Sequence, residues 1–121
     1  MKLIDSNLLV YSAQTEFSHL RITFAERDIF ISDISKVEVL GYHLLEASDK
    51  LYFEALFRQI KPIHISDNII LKAIELRQRR KMSLGDSIIA ATGLIYNCTV
   101  FTRNETDFQK IEGLKVFNPL K

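Results

Sequence analysis

Four short apolar runs in the chain are continuous rather than alternating, a pattern typical of strands that are buried on both faces of a sheet. They lie at residues 2–4, 29–32, 62–66 and 98–102. A fifth run at residues 115–117 is followed at once by Asn118 and Pro119, so we expect it to form an edge strand.

Between these runs, apolar residues recur at the three- and four-residue spacing of helices that bury one face. The stripes cover residues 17–25, 34–45, 51–56, 69–77 and 88–95. Strands that alternate with helices predict an α/β fold, a doubly wound, mostly parallel five-stranded sheet with helices on both faces. Because the 121 residues contain no repeat and no flexible linker, we expect a single domain over residues 1–121.

Composition limits the cellular setting more than it limits the function. The formal net charge is +1, which neither indicates nor excludes a nucleic-acid partner. The one cysteine, Cys98, lies in an apolar run, so we expect a buried thiol and a reducing compartment. No apolar stretch approaches the roughly 20 residues of a membrane helix. We therefore expect a cytoplasmic protein with no membrane contact.

Four carboxylates lie near the predicted ends of strands or the starts of helices, where doubly wound sheets bind their ligands. They are Asp5, Glu38, Asp86 and Asp107. Taken singly, each has a structural interpretation, since Ser35 and Ser83 would form capping boxes with Glu38 and Asp86, and the other two could cap helices or favour their dipoles. Taken together, they could converge, because such a sheet brings the ends of distant strands to one edge.

Glu38 falls in a helical row that is otherwise apolar or small, with Ile34, Gly41 and Leu45. A buried carboxylate without a partner is costly, so we expect a positive charge beside it. That row has no lysine or arginine, which favours a bound cation.

Oxygen ligands favour Mg²⁺ or Mn²⁺ over zinc, and the three histidines have no ligand spacing. We expect one or two such ions, which would suit hydrolysis of a phosphodiester. Six further residues could hold metal-bound water, orient the acids or, for the arginine, meet the scissile phosphate. They are Ser6, Asn7, Ser35, Thr102, Arg103 and Asn104.

The cluster RQRRK supplies four cations, which either form a solvated helix end or contact an RNA backbone. They are Arg77, Arg79, Arg80 and Lys81.

The order of these motifs resembles that of the PIN domain: a strand followed by Asp-Ser-Asn, then Ser-x-x-Glu, Gly-Asp-Ser-Ile-Ile-Ala-Ala-Thr and Thr-Arg-Asn-x-x-Asp-Phe. Size and spacing are similar to those of VapC-type toxins of toxin–antitoxin pairs. The resemblance implies an endoribonuclease that depends on Mg²⁺ or Mn²⁺, with Asp5, Glu38 and Asp86 as metal ligands and Asp107 as a more variable fourth. It also implies a homodimer, and an antitoxin whose tail crosses the toxin and blocks its site.

Two positions depart from that pattern. Gly85 stands where proline is usual, and Ser6 where threonine is commonest. Neither change removes a ligand, although glycine would loosen the backbone before Asp86.

The predicted helices near residues 17–27 and 51–58 are rich in aromatic residues, which belong either to the core or to a groove for an apolar partner. These residues are Phe17, Phe24, Tyr52, Phe53 and Phe57.

Two other functions suit the same fold class. One is a catalytically inert PIN-fold binding module. The other is a receiver-type phosphoacceptor domain, although Asp5 is a lone acid after the first strand and the third predicted strand ends in Ser66-Asp67.

Overall fold

The computed structural model describes all residues from Met1 to Lys121. The five strands are β1 (Lys2–Ile4), β2 (Ile29–Ser32), β3 (Lys61–Ile63), β4 (Thr99–Phe101) and β5 (Lys115–Phe117). The seven helices are α1 (Ser6–Tyr11), α2 (Leu20–Phe24), α3 (Asp33–Leu40), α4 (Ala47–Gln59), α5 (Asp67–Arg79), α6 (Leu84–Tyr96) and α7 (Glu105–Gln109), with a short 3-10 helix at Thr15–Phe17 before α2. No helix combines the length and apolar character needed to cross a membrane.

The strands form one sheet in the order β3-β2-β1-β4-β5, and every neighbouring pair is parallel. The predicted α/β fold with a five-stranded sheet is therefore confirmed, with β5 at an edge. Strand order reverses between β1 and β4, the point at which such sheets place their ligand crevice. A receiver domain has the order 2-1-3-4-5, so this topology does not support the phosphoacceptor alternative.

Successive residues of the central strands point into two separate cores. Leu3 and Val100 pack with α5, α6 and α7 on one face, whereas Ile4 and Phe101 pack with α1, α2 and α4 on the other. All four are buried, as the continuous apolar runs predict.

The helix predicted over residues 34–45 is shorter than expected, because α3 ends at Leu40 with Gly41 as its C-cap. Its N-cap is Ser32, whose hydroxyl accepts a hydrogen bond from the Ile34 N–H at 3.1 Å. The prediction that Ser35 caps this helix is therefore wrong. Ser35 lies in the first turn of the helix and is buried.

Most of the aromatic residues that could have formed an exposed groove belong to the core. Phe24, Phe53 and Phe57 are buried, and Phe17 and Tyr52 are partly buried against the same cluster. This cluster fills the α1–α4 side of the sheet.

Small residues let α6 lie close to the sheet. Ala90, Ala91 and Gly93 are all buried, and a Cβ atom at Gly93 would lie 2.8 Å from Leu114 Cδ1 and 3.0 Å from Val100 Cγ2. Glycine at this position is therefore required by the close approach of the helix to β4.

We expect Gly93→Ala to lower the free energy of unfolding by about 1–2 kcal/mol, because overpacking outweighs the better helix propensity of alanine. Urea denaturation monitored by circular dichroism measures the change. A variant as stable as the wild type would show that Leu114 and Val100 yield without cost.

Candidate active site

Asp5 directly follows β1, at the point where the strand order reverses. Its Oδ2 accepts a hydrogen bond from Thr102 Oγ1 at 2.8 Å, and its Oδ1 accepts one from the Ser6 N–H at 2.8 Å. Thr102 follows β4 and accepts a further bond from the Asn104 N–H at 2.9 Å. Asp5 is only 4% exposed, so this carboxylate is both the cap of α1 and a rigid part of the site.

Ser6 connects the first two predicted acids. Its Oγ lies 2.8 Å from Glu38 Oε1 and 3.0 Å from the Oγ of the buried Ser35. Glu38 itself is exposed, so the expectation of a buried glutamate is wrong. The reason is that Leu45 lies outside α3, so the apolar row around Glu38 ends one turn earlier than the periodicity indicates.

Asp86 lies in the first turn of α6, where its N–H donates to Ser83 Oγ at 3.1 Å. The predicted Ser83 cap is therefore confirmed. Next to it, Gly85 makes room for Glu38, because a Cβ atom at residue 85 would lie 2.4 Å from Glu38 Oε2. The departure at Gly85 thus has a local reason, since proline or alanine would push the Glu38 carboxylate away.

The remaining predicted residues lie around this centre with looser connections. Asp107, in the first turn of α7, accepts a hydrogen bond from Asn104 Nδ2 at 3.0 Å and is exposed. Arg103 stacks on Tyr11, with its guanidinium carbon 4.8 Å from the ring centroid. Asn7 is exposed on α1 and has no side-chain hydrogen bond.

The charges of the four acids act on one another. Burial, together with the charges of Asp86 and Glu38, raises the pKa of Asp5 to about 6, although hydrogen bonds from Thr102 and the Ser6 N–H oppose the shift. Partial burial likewise raises the pKa of Asp86, and the charges of Glu38 and Asp107 add to this effect while a hydrogen bond with Ser83 opposes it. The four acids therefore lie close enough for the charges of three of them to act on Asp5 or Asp86.

None of the four acids forms a salt bridge. Their oxygens and the adjacent hydroxyls are the donors that Mg²⁺ and Mn²⁺ prefer, so the residues fit such an ion chemically. As the side chains stand, no three His, Cys, Asp or Glu residues are arranged to hold a metal together. Asp5 and Glu38 instead face hydroxyl groups, and Asp107 faces an amide.

Two depressions flank the acids. One, which we call the basic cleft, has a volume of about 290 Å³ and contains Arg80, Lys81 and Lys110 together with Asp86 and Asp107. The other, the apolar groove, has a volume of about 390 Å³ and includes Glu38 in its lining. Its lining includes Val10, Val39, Tyr42, Leu44, Leu45, Phe53, Glu46 and Asp49.

The predicted basic cluster is divided by the structure. Arg80 and Lys81 line the basic cleft, whereas Arg79 pairs with Glu75 at 3.0 Å and Arg77 lies outside the cleft. Lys110 was not anticipated as a site residue. Its position three residues after Asp107, at the C-cap of α7, is a signal that could have drawn attention to it.

The sequence matches the PIN domain over residues 2–114. The chain belongs to the PIN domain family. Among curated proteins, none matches it significantly.

Several solved structures share this PIN fold over nearly the whole chain. DNA-bound VapBC from Salmonella typhimurium is similar with a TM-score of 0.84 and 16% identity, over 97% of this chain and 96% of that one. VapBC2 from Rickettsia felis, bound to a promoter DNA fragment, is similar with a TM-score of 0.81 and 19% identity, over 97% of both chains. A toxin–antitoxin complex from Klebsiella pneumoniae is similar with a TM-score of 0.77 and 27% identity, over 98% of both chains. The resemblance to VapC-type PIN domains is thereby confirmed.

We expect Gly85→Ala to displace the Glu38 carboxylate in this PIN domain without loss of stability. The new Cβ meets the mobile end of an exposed side chain, and alanine favours the helix by up to about 1 kcal/mol. A crystal structure of the variant tests this, with the Ser6–Glu38 contact lengthened. An unchanged contact would show that the glycine does not set the glutamate position.

We expect Asp5→Asn to stabilise the metal-free protein at neutral pH. Because folding raises the pKa of Asp5 from 3.8 to about 6, the folded state holds its proton more tightly, and stability falls as pH rises through that window. The full shift corresponds to about 3 kcal/mol, and we expect a gain of roughly 1–2 kcal/mol, because asparagine has one acceptor oxygen where the carboxylate accepts from both Thr102 and the Ser6 N–H.

Urea denaturation in the presence of chelator between pH 4 and 7.5 measures this effect as the difference in the free energy of unfolding between wild type and variant. The difference should grow with pH up to about 6 and then level off. A difference that is constant with pH would mean that the Asp5 carboxylate is not destabilised in the fold.

Proposed function

We propose that this PIN domain is an endoribonuclease dependent on Mg²⁺ or Mn²⁺, and that it is the toxin of a type II toxin–antitoxin pair. The observation that carries the proposal is the buried Asp5 at the strand-order reversal, with Asp86 and Glu38 close enough to raise its pKa and no cationic side chain paired with any of them. A site of this charge is costly to the fold, which is expected where a cation binds.

In the proposal, Asp5, Glu38, Asp86 and Asp107 hold one or two ions. A bound ion of this kind supplies an activated water and stabilises negative charge on a phosphate in an in-line displacement. The fixed member is Asp5, held by Thr102 and the Ser6 N–H. Glu38 and Asp107 are exposed and Asp86 is half-buried, and in the proposal their carboxylates shift towards a common point when an ion binds.

The hydroxyl and amide groups around the acids have orienting roles in this proposal. Ser6 holds Glu38 against α1, and Ser35 supports Ser6 from within α3. Asn104 holds Asp107. Such contacts limit the rotation of an acid and raise its ligand strength. Arg103 remains a candidate for the scissile phosphate, from its stacked position on Tyr11.

The apolar groove is our proposed seat for an antitoxin segment. It exposes Val10, Tyr42 and Leu44, and it carries Glu38, Glu46 and Asp49. An apolar segment with a basic side chain complements both properties, and occupation of the groove would bring that base to Glu38. The structural similarity to complexes of toxins with antitoxins supports this partner.

A homodimer in the cytoplasm completes the proposal. Helix α5 exposes three neighbouring aliphatic side chains, Ile70, Leu71 and Ile74, each at least 44% exposed. An apolar face of this kind is expected to be covered by a second copy.

The alternative is an inert PIN-fold binding module, which is favoured by the lack of three acids in a ligating arrangement. The two functions differ in whether the protein cleaves RNA. A cleavage assay distinguishes them when substitutions of the clustered acids are compared with the substitution of an acid away from the cluster.

We expect the wild type to cleave labelled RNA with Mg²⁺ or Mn²⁺ and not in chelator. Asp5→Asn and Asp86→Asn should each lower the rate by at least about 100-fold, because each removes an oxygen that holds the ion. Asp28→Asn is the matched control, since Asp28 is exposed and directly precedes β2, at the amino-terminal ends of the strands and so away from the acids. Denaturing gel electrophoresis of the products gives both rate and cut sites.

Cleavage that survives in Asp5→Asn would contradict the acid cluster as the catalytic centre. Absence of cleavage of total RNA by the wild type, with folding and metal binding intact, would favour the inert module.

A further inference from the structure

The basic cleft holds three cations that the fold itself leaves without partners. Arg80, Lys81 and Lys110 line it, and none of them forms a salt bridge. Arg79, their neighbour, is paired with Glu75 and so differs from them. Unpaired cations that converge on one concave surface indicate a site for an anion.

The same cleft contains two of the acids, Asp86 and Asp107. No cation of the cleft lies within ion-pair distance of either acid. The cleft therefore combines two of the proposed metal ligands with three cations, Arg80, Lys81 and Lys110, that are not ion-paired with them. An anion bound by these cations shares one cleft with the proposed reaction centre.

The apolar groove, which shares Glu38 with the acid cluster, has the reverse character. The apolar groove carries Glu38, Glu46 and Asp49, and no lysine or arginine lines it. The apolar groove therefore repels a polyanion and the basic cleft attracts one. An RNA strand bound at the acids is expected to extend into the basic cleft and not into the apolar groove.

The size of the basic cleft limits what it accepts. A volume of about 290 Å³ is at the small end for ligand sites, which suits one phosphate and its sugar rather than a double helix. Phe108 in its lining is buried, so it offers no exposed ring on which a base could stack. Recognition in this cleft is therefore directed at the backbone and not at the base.

We infer that Arg80, Lys81 and Lys110 form a subsite for a backbone phosphate next to the scissile one, and that single-stranded RNA is held on this side of the acids only. The inference rests on the proposed function for its substrate. It makes Lys110 a positioning residue and excludes Arg77 and Arg79 from direct contact with the strand.

The test is binding of a fluorescein-labelled single-stranded RNA, followed by anisotropy in chelator so that no cleavage occurs, at NaCl concentrations between 50 and 300 mM. Each phosphate contact contributes about 0.7 to the salt slope for a single strand, which corresponds to about fourfold in affinity at 0.15 M salt. We expect Lys110→Gln and Arg80→Gln each to weaken binding about fourfold and to lower the slope by about 0.7.

Two substitutions outside the cleft serve as controls, Arg77→Gln for the arginine and Lys50→Gln for the lysine. Arg77 is exposed on α5 and Lys50 is exposed on α4. Both should bind as the wild type does. Thermal unfolding should be unchanged in all four variants, because none of these side chains forms a salt bridge.

The subsite is overturned if Lys110→Gln and Arg80→Gln bind with wild-type affinity and slope, or if the control variants lose as much. Binding changes as expected without any cleavage in metal would leave the subsite supported and the nuclease proposal contradicted. Cleavage by the wild type together with unchanged binding by the cleft variants would support the nuclease proposal and contradict the subsite. In active enzyme, Lys110→Gln should raise KM and leave kcat close to the wild-type value.

Discussion

The hydrogen bond from Thr102 to Asp5 joins the two strands between which the order of the sheet reverses. The two residues lie 97 positions apart in sequence, and the bond is buried. It fixes a carboxylate at the point where the segments that follow β1 and β4 leave towards opposite faces of the sheet. Ser6, Glu38, Asn104 and the rest of the candidate site are arranged around this pair, so the geometry of the site follows from the topology of the sheet.

That arrangement is costly for the fold. Burial raises the pKa of Asp5, and neighbouring acids raise it further, with no paired side-chain cation to relieve the charge. A protein selected only for stability would replace such a group, and a raised carboxylate pKa in a cluster is a sign of a functional site. The site also separates two surfaces of opposite charge, a basic cleft and an acid-rimmed apolar groove, which gives an RNA strand and a protein segment different sides from which to reach the same acids.

The elements that depend on the local pattern of apolar residues could be predicted from the sequence. Continuous apolar runs identified all five strands, and β1, β2 and β5 have the predicted bounds. The sequence did not predict features that depend on a tertiary contact or on the one residue that ends a helix. The spacing of Leu44 and Leu45 continued the helical pattern past Gly41, although α3 ends before it, and this error made Glu38 look buried. Gly85 looked like a loss of rigidity, and only the packing of α6 against α3 shows that it accommodates a carboxylate. Lys110 is one of many surface lysines until the fold places it in one cleft with Arg80.

The central claim is that the acid cluster is a site for a divalent cation, and direct binding of Mn²⁺ tests it most closely. Electron paramagnetic resonance distinguishes free from bound Mn²⁺ and needs no substrate or turnover. We expect saturable binding at one or two sites in the wild type, unchanged binding in Asp28→Asn, and affinity lower by at least about tenfold in Asp5→Asn. No saturable binding by the wild type, or equal binding by Asp5→Asn, would contradict it.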